Sequence, residues 1–300
     1  MRISPLTFGV MSSLLVASAC SHPQTGGGSA HHAAVPIDTM PLLAPDGSAP
    51  PSGDLGRSIL RGHAILADTW DSLPTHVGNG LRCTSCHLDD GRRPTAIPLT
   101  GVYARYPQYR SRNASIQSIE DRVNDCFQRS LNGTALAMDD PALRDIVAYL
   151  AWISRGVPVT IGDPPAGPGF PLGTARTGDT AAGGRVFLRE CSPCHGGSGE
   201  GTLQAPPLWG DRSFNIGAGM ARVRTFAAFI RANMPFDKPG SLTDQQAFDL
   251  AAFVTSRPRP DLAGKERDWP NGDPPPDVAY PTAAGRHPAA AARTTPTGAH

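Results

Sequence analysis

The sequence has few cysteines, and each of them can be assigned to a motif, the leader or a single isolated position. Six occur in 300 residues: four stand in two C-x-x-C-H runs, Cys20 follows an N-terminal leader, and Cys126 stands alone. No pair is therefore left for a disulfide, and an unpaired buried cysteine in an oxidising compartment needs an explanation. A structural zinc site would need a further Cys/Cys or His/His pair for each run, and no such pair accompanies either one.

A strong overall charge and a long apolar run are also missing. The net charge is +1 with 18% charged residues, so nothing global suggests a nucleic-acid partner. Residues 1–19 carry Arg2, an apolar run and small residues, which predicts a secretory leader too short to span a bilayer. Residues 16–20 resemble a lipobox, so we expect a lipid on Cys20, with ordinary signal-peptidase cleavage as the alternative. Both predict export to the periplasm, with membrane contact only through that lipid.

One pentapeptide pattern occurs twice, at residues 83–87 (C-T-S-C-H) and residues 191–195 (C-S-P-C-H). In each copy the two thiols can add across the vinyl groups of a haem, and the histidine is placed to ligate the iron. We therefore expect two covalently bound haem c groups as cofactors. The predicted haem-binding residues are Cys83, Cys86, His87, Cys191, Cys194 and His195.

The spacing of the two copies predicts different sixth ligands. The second motif lies 108 residues after the first (83 to 191, 87 to 195). Met234 stands in Asn-Met-Pro, 40 residues after Cys194, where small c-type cytochromes supply a methionine to the far face of the iron. Stepping 108 residues back from Met234 reaches Cys126. The repeat thus predicts His/Met ligation in the second half and His/Cys thiolate ligation in the first.

Cys126 lies within a predicted amphipathic helix. Residues 116, 119, 123, 126 and 127 make one apolar stripe, and Gly133 is a fitting stop. Arg122, Arg129 and Ser130 surround Cys126 at helical spacing. A cysteine facing a core is usually an inert hydrophobe, but guanidinium neighbours favour the thiolate that binds iron. The alternative sixth ligands are Met138, His63 and His76.

Positive charge is concentrated around this helix. Between residues 92 and 129 seven arginines accompany three acidic residues, a local net charge of +4 in a chain whose total is +1. Some of these arginines would neutralise haem propionates. The others predict an anion pocket beside the first haem.

Periodicity and composition divide the chain into an all-α arrangement of two haem domains. The predicted parts are a leader (1–19), a tether (20–53), domain one (54–156), a Pro/Gly-rich linker (157–180), domain two (181–257) and a Pro/Ala-rich tail (258–300). Leu55, Ile59, Leu66 and Trp70 predict the leading helix of domain one. Asp140-Pro141 and Thr243-x-x-Gln246 predict the starts of the two closing helices. The tail is expected to be mostly disordered unless part of it packs onto a domain.

The two motifs, together with the run V-N-D-C-F-Q-R-S-L-N-G around Cys126, resemble the diheme thiosulfate dehydrogenases from about residue 54 to 257. The resemblance implies a periplasmic enzyme of two class I cytochrome c domains, each with one haem. Such an enzyme couples two thiosulfates into tetrathionate, or runs the reverse. Electrons would pass from haem 1 to haem 2 and on to an acceptor such as a small cytochrome c.

The resemblance also implies residue roles. Cys126 matches the catalytic haem ligand, and Arg112, Arg122 and Ser130 match the lining of the substrate pocket, although Arg110 could replace Arg112 after a small shift. Asn233 stands where some relatives have a lysine that competes for the second iron, so we expect plain His/Met ligation. Two alternative functions are a non-catalytic diheme electron carrier and the diheme subunit of the sulfur-oxidation multienzyme system.

Overall fold

A computed structural model describes residues 43–161 and 175–282. The predicted leader and Cys20 lie outside these residues, as do most of the tether, the middle of the linker (162–174) and the end of the tail (283–300). Within the two described ranges, none of the helices has the length and apolar character that a membrane span requires.

The first half is built from helices whose starts are set by local side chains. They are α1 (Asp54–Ala67), α2 (Thr69–Ser72), α3 (Ile119–Arg129) and α4 (Pro141–Trp152). Ser118 and Asp121 form a reciprocal capping box at the start of α3, with distances of 3.2 and 2.9 Å. The Asp140 carboxylate accepts from the backbone N–H of Ala142 at 2.8 Å, and Pro141 occupies the first turn of α4. The predicted cap of α4 is therefore confirmed.

The second half repeats this plan. Its helices are α5 (Thr180–Glu190), α6 (Ser192–His195), α7 (Val223–Asn233) and α8 (Asp244–Thr255). Thr243 and Gln246 form the predicted capping box of α8, at 3.2 and 2.9 Å. Phe226 and Ile230 are buried on α7, two turns and one turn before Met234 respectively, as the apolar stripe predicts.

In each half the leading helix crosses the closing helix at a glycine. A Cβ on Gly62 of α1 would collide with the carbonyl oxygen of Asp145 and touch the Cβ of Tyr149 on α4. A Cβ on Gly183 of α5 would collide with the carbonyl oxygen of Asp249 on α8. Only glycine allows the two backbones to approach this closely. The crossings fix the frame on which the haem motifs are held.

The all-α prediction misses one small sheet. Strands β1 (Gln108–Arg110) and β2 (Ser115–Gln117) pair antiparallel, with Arg110 opposite Ser115. Ile116 therefore belongs to β2, where it is 68% exposed, and not to the apolar stripe of α3. Leu55 and Trp70, expected on the buried face of the leading helix, are 60% and 43% exposed, whereas Ile59 and Leu66 are buried as predicted.

Part of the predicted tail packs against both halves. We call residues 258–282 the strap. The backbone N–H of Gly210 and of Ile216 donate to strap carbonyls at 2.8 and 2.9 Å, and the N–H of Trp269 donates to the Arg112 carbonyl at 2.8 Å. The Asp268 carboxylate accepts from both terminal nitrogens of Arg129, at 2.8 and 2.9 Å. The strap is thus a structural part of the two-domain body.

The described end of the predicted tether also contacts domain one. Ala44 is buried, and the carbonyl of Leu43 accepts from the Arg92 guanidinium at 3.4 Å. Asp46 lies 3.2 Å from the Arg155 guanidinium, just after α4. Residues 43–46 therefore pack on the domain that follows them.

Candidate active site and haem centres

The His87 ring is oriented as a metal ligand. Its Nδ1 lies 2.6 Å from the carbonyl oxygen of Ile97, which can only accept, so Nδ1 carries the proton and Nε2 keeps its lone pair. Burial lowers the pKa of His87 to about 4, with Arg122 acting in the same direction and the Ile97 bond opposing. The ring is therefore neutral at pH 7 and offers Nε2 to a metal.

His195 is held in the same way. Its Nδ1 lies 2.8 Å from the carbonyl oxygen of Pro206, and burial lowers its pKa. In both halves the accepting carbonyl belongs to the residue directly before a proline, 10 residues after His87 and 11 after His195. This carbonyl is a functional group that the sequence reasoning missed. An X-Pro pair at that distance from each C-x-x-C-H run is the signal that would have found it.

The motif cysteines lie in surroundings that disfavour a charged sulfur. Burial raises the pKa of the Cys83 thiol to about 11 and that of Cys86 and Cys191 to about 12. The Cys83 sulfur also accepts a hydrogen bond from the Thr69 hydroxyl at 3.3 Å. A thiol that has added to a haem vinyl group becomes a neutral thioether, so these sites suit covalent haem attachment.

Buried donors that lack an acceptor give a second test of the fit. Among the described residues, Trp152 Nε1, Arg222 Nε, and Arg259 Nε and Nη1 are buried without a hydrogen-bond partner. Burial lowers the pKa of Arg259 to about 10, and its guanidinium lies 4.4 Å from the Phe214 ring centroid. A buried cation without a counter-charge is costly. Haem propionates are anionic acceptors of the kind that Arg259 lacks among the described residues, so the chain fits haem here too.

Met234 leaves the end of α7 in an extended conformation. Its φ and ψ are −122° and 149°, and its backbone N–H closes the last turn on the Ile230 carbonyl at 2.9 Å. The side chain packs against the hydrophobic cluster that both halves share. A partly buried thioether at a helix end can serve as an axial ligand, as the sequence predicts.

Cys126 and the first C-x-x-C-H motif lie close enough to interact electrostatically. After burial, negative charge on the Cys126 sulfur is among the causes that raise the pKa of both Cys83 and Cys86. Cys126 is partly buried on α3 and forms no disulfide with another described cysteine. The structure therefore brings together the residues predicted to hold and ligate the first haem.

Cys126 is the strongest electrostatic influence on Arg122. A Cys126 thiolate is the largest cause of its raised pKa, and Tyr106 and Asp125 act in the same direction. Arg122 makes no ion pair with a carboxylate among the residues described. Its charge is therefore available to an anionic ligand.

Arg110 and Tyr106 lie near the same two side chains, Arg122 and Cys126. Burial is the main cause that lowers the pKa of Arg110 and raises that of Tyr106. Arg122 and Cys126 contribute to both shifts, so all four side chains lie within electrostatic range of each other. The Arg110 guanidinium donates to Gln108 Oε1 at 3.1 Å and has no carboxylate partner in the described chain. We call Tyr106, Arg110, Arg122 and Cys126 the thiolate pocket.

Arg112 faces elsewhere. Its guanidinium donates to the Gly217 carbonyl at 2.6 Å and lies 4.6 Å from the Trp269 ring centroid. Burial lowers its pKa to about 10; Arg129 is its strongest charged neighbour and Arg122 a weaker one, and Cys126 is not among the causes of the shift. The structure therefore favours Arg110 over Arg112 for the cationic role beside Cys126.

Ser130 and Arg129, the other predicted neighbours of Cys126, have structural contacts. Ser130 ends α3, where its N–H donates to the Cys126 carbonyl at 2.9 Å and its own carbonyl accepts from Asn79 Nδ2 at 2.9 Å. The Arg129 charge is compensated by Asp268 in the strap. These are contacts of the Ser130 backbone, so the pocket role of its hydroxyl stays a prediction, whereas Arg129 does not add free positive charge.

The alternative sixth ligands are engaged elsewhere. His63 Nε2 lies 3.2 Å from Asp90 Oδ2, and His76 Nδ1 lies 3.3 Å from the Thr134 carbonyl. Met138 is 57% exposed, with its sulfur 3.8 Å from Asn124 Nδ2. These contacts favour Cys126 as the partner of His87.

Comparisons with known proteins agree with two haem domains. Residues 68–159 match the family model described as SoxA/TsdA, cytochrome c domain. Residues 178–254 match the family model described as cytochrome c oxidase, cbb3-type, subunit III. Each matched range contains one C-x-x-C-H motif, and together with the relatives below they establish two covalently bound haem c groups as cofactors.

Relatives extend the likeness over most of the chain. A thiosulfate dehydrogenase of Psychrobacter arcticus is 43% identical over 244 residues, which cover 79% of this chain and 74% of the relative. One of Allochromatium vinosum is 47% identical over 233 residues, covering 74% and 86%. The solved thiosulfate dehydrogenase (TsdBA) of Marichromatium purpuratum is 33% identical with a TM-score of 0.67, and the match covers 74% of this chain and 50% of that one. This chain belongs to the thiosulfate dehydrogenase family.

Proposed function

We propose that this protein oxidises thiosulfate by joining two molecules into tetrathionate beside Cys126, and that the reaction is reversible. The observation that carries the proposal is the thiolate pocket, in which Arg110 and Arg122 lie near Cys126 without a carboxylate partner in the described chain. The likeness to thiosulfate dehydrogenases over 74% to 86% of their length favours this reaction over a plain electron carrier or a sulfur-oxidation subunit.

The substrates explain the need for two free arginines. Each thiosulfate is a dianion, so coupling brings four negative charges together. At about 4 Å each pair of unit charges costs about 1 kcal/mol in water and several times more in a drier site. Arginine stays charged, and its planar fork meets oxyanions with two hydrogen bonds. Arg110 and Arg122 would hold the sulfonate groups and leave the terminal sulfurs facing each other.

The reaction balances without protons. Two thiosulfates form one sulfur–sulfur bond and release two electrons, and no group leaves. When bound, the two haem groups supply acceptors for one electron each. The thiolate pocket therefore needs to bind and orient the two anions, and no residue in it has to move a proton.

The proposed ligands set the direction of electron flow. Cys83 and Cys86 would attach the first haem, with His87 and Cys126 as its axial ligands. Cys191, Cys194, His195 and Met234 would do the same in the second half. As ligands, the Cys126 thiolate would lower and the Met234 thioether would raise the reduction potential of the iron that each holds. This difference favours transfer from the first haem to the second and on to an acceptor such as a small cytochrome c.

The proposed location is the periplasm. Covalent haem and the leader at residues 1–19 support export. A lipid on Cys20 would tether the enzyme to the membrane.

The test is an anaerobic assay of the pure protein with thiosulfate and ferricyanide. We expect Cys126→Gly to keep both haems attached and to lose turnover. Met138→Leu is the control, because it alters the exposed rival sulfur and should leave turnover unchanged. Unchanged turnover in Cys126→Gly would remove Cys126 from the mechanism.

A further inference from the structure

Asn233 is a completely buried polar residue that directly precedes Met234 in the sequence. Its side chain is 0% exposed. Its Nδ2 donates to the Thr95 carbonyl at 2.8 Å and to the Phe229 carbonyl at 3.0 Å, and its Oδ1 accepts from the Thr95 hydroxyl at 2.9 Å. A buried amide that is paired in this way is rigid, because losing a partner leaves a polar group unsatisfied.

These bonds join the two halves of the molecule, between the loop that follows the first haem motif and the segment that carries Met234. Thr95 lies two residues before Ile97, the residue whose carbonyl holds the His87 ring. Asn233 lies directly before Met234. A second contact follows the same path, since the Arg93 guanidinium lies 5.2 Å from the Phe236 ring centroid. The loop that orients His87 is therefore fastened to the segment that carries Met234.

Asn233 also sets the direction in which the chain leaves α7. Its bond to Phe229 ties the side chain to the last turn of the helix, and its two bonds to Thr95 tie the same amide to the first half. Met234 then departs in an extended conformation. With both ends of the amide fixed, the Met234 backbone has little freedom to shift.

We propose that Asn233 and Thr95 form a joint that positions Met234 as an axial ligand and couples the environments of the two haems. Asn233 is a positioning residue, because it acts through Met234 and through Ile97. The inference rests on the proposed ligation of the second iron by Met234. It predicts that a change at Thr95, in the first half, alters ligation in the second half.

The experiment compares three variants of the full-length holoprotein. Asn233→Ala removes the joint, and Thr95→Val removes only the hydroxyl while keeping the side-chain shape. Asn215→Ala is the matched control. Asn215 is equally buried at 1% exposure, and its Nδ2 also crosses between the halves, to the Gln128 carbonyl at 2.8 Å. Its bonds reach α3 and not the Met234 segment.

The readouts are the red absorption band of methionine-ligated ferric haem, the reduction potential of the second haem, and the unfolding temperature. In Asn233→Ala we expect the bound-to-free ratio of the methionine to fall roughly tenfold, which corresponds to about 1.4 kcal/mol. The potential of the second haem falls with it. Thr95→Val lowers the methionine band and the potential of the second haem as well, but by less than Asn233→Ala does. Asn215→Ala lowers the unfolding temperature but keeps the band and the potential.

Two results would overturn the proposal that Asn233 and Thr95 position Met234. One is an unchanged band and potential in both Asn233→Ala and Thr95→Val while the unfolding temperature falls as in Asn215→Ala, since Asn233 would then be only a structural contact. The other is a wild-type protein without the methionine band, which refutes ligation by Met234 and the joint with it. Turnover of thiosulfate is measured separately, so neither result is confused with a failure of the proposed reaction.

Discussion

Arg110 and Arg112 are separated by one residue of the β1–β2 hairpin but have different partners. The pKa of both responds to Arg122, but only that of Arg110 responds to Tyr106 and Cys126, whereas Arg112 donates to Gly217 and lies over the Trp269 ring in the strap. A guanidinium already committed to a backbone carbonyl and an aromatic face has fewer N–H groups for a substrate. Arg110 donates to Gln108 Oε1 but has no ion pair with a carboxylate among the described residues, so at the residue scale it is the better placed of the two to bind an anion beside Cys126.

We predict that Arg110→Gln lowers kcat/KM for thiosulfate by roughly tenfold to hundredfold. The estimate reflects the loss of a charge-assisted hydrogen bond worth about 1.5–3 kcal/mol. Steady-state kinetics with an artificial acceptor measure it. Arg112→Gln is the comparison, and we expect it to lower stability more than kcat/KM. A larger loss of kcat/KM in Arg112→Gln than in Arg110→Gln would contradict the assignment.

At the scale of helices, a buried carboxylate fastens the first pair across its glycine crossing. Asp145 of α4 accepts from the Ser58 hydroxyl at 2.6 Å and from the Arg61 guanidinium at 2.7 and 2.8 Å, both on α1. Burial raises the pKa of Asp145, but the bonds from Arg61 and Ser58 outweigh it and leave the pKa below the ordinary 3.8. The carboxylate therefore stabilises the fold in its charged form.

The sign of this shift gives a pH prediction. A folded-state pKa below the unfolded value adds stability that is present above about pH 4 and is lost as the pH falls through the folded pKa. We expect Asp145→Asn to lower the free energy of unfolding by about 1–3 kcal/mol at pH 7. Between neutral and acidic pH, the free energy of unfolding of this variant should fall by less than that of the wild type. Urea unfolding between neutral and acidic pH measures both. Asp54→Asn alters an exposed α1 ion pair and should have little effect.

The elements that sequence could predict are those whose signals are local. The C-x-x-C-H motifs, the Thr243–Gln246 capping box and the Asp140–Pro141 start each depend on residues within one turn. The hairpin escaped because its strands have three residues each, too few for an alternating pattern, so Ile116 was assigned to the helix. The sequence offers Arg110 only as an alternative, since its advantage over Arg112 depends on the contacts of Arg112 with Gly217, 105 residues later, and with Trp269 in the strap.

For the whole molecule, the two haem domains share one hydrophobic cluster and exchange backbone hydrogen bonds. The Gly80 N–H donates to the Arg212 carbonyl at 2.8 Å, and the Asn215 N–H donates to the Arg129 carbonyl at 3.2 Å. Such contacts fix the separation of the two haem sites, and no local pattern encodes them. Composition predicts a mostly disordered tail because it carries no information on such distant contacts. The strap acquires its structure from hydrogen-bond partners in both domains.

The strap provides the last prediction, because it carries a buried and an exposed ion pair a few residues apart. The side chains of Asp268 and Arg129 are 8% and 12% exposed, and the Tyr280 hydroxyl donates to the same carboxylate at 2.6 Å. Asp261, which pairs with Lys265, is 71% exposed. Asp268→Asn removes the closer of the two carboxylates that pair with the buried Arg129 cation and leaves only Asp125, at 3.7 Å, so we expect the free energy of unfolding to fall by about 3 kcal/mol.

Asp261→Asn should change the same free energy by less than about 0.5 kcal/mol, because exposed pairs are screened by solvent. Denaturant unfolding of the holoprotein, followed by haem absorption, measures both variants. Equal effects would mean that the strap only covers the surface. If instead only Asp268→Asn lowers the free energy of unfolding, the strap stabilises α3, the helix that carries both Arg122 and Cys126. Thiosulfate turnover in Asp268→Asn should then decline at temperatures where the wild type is still fully active.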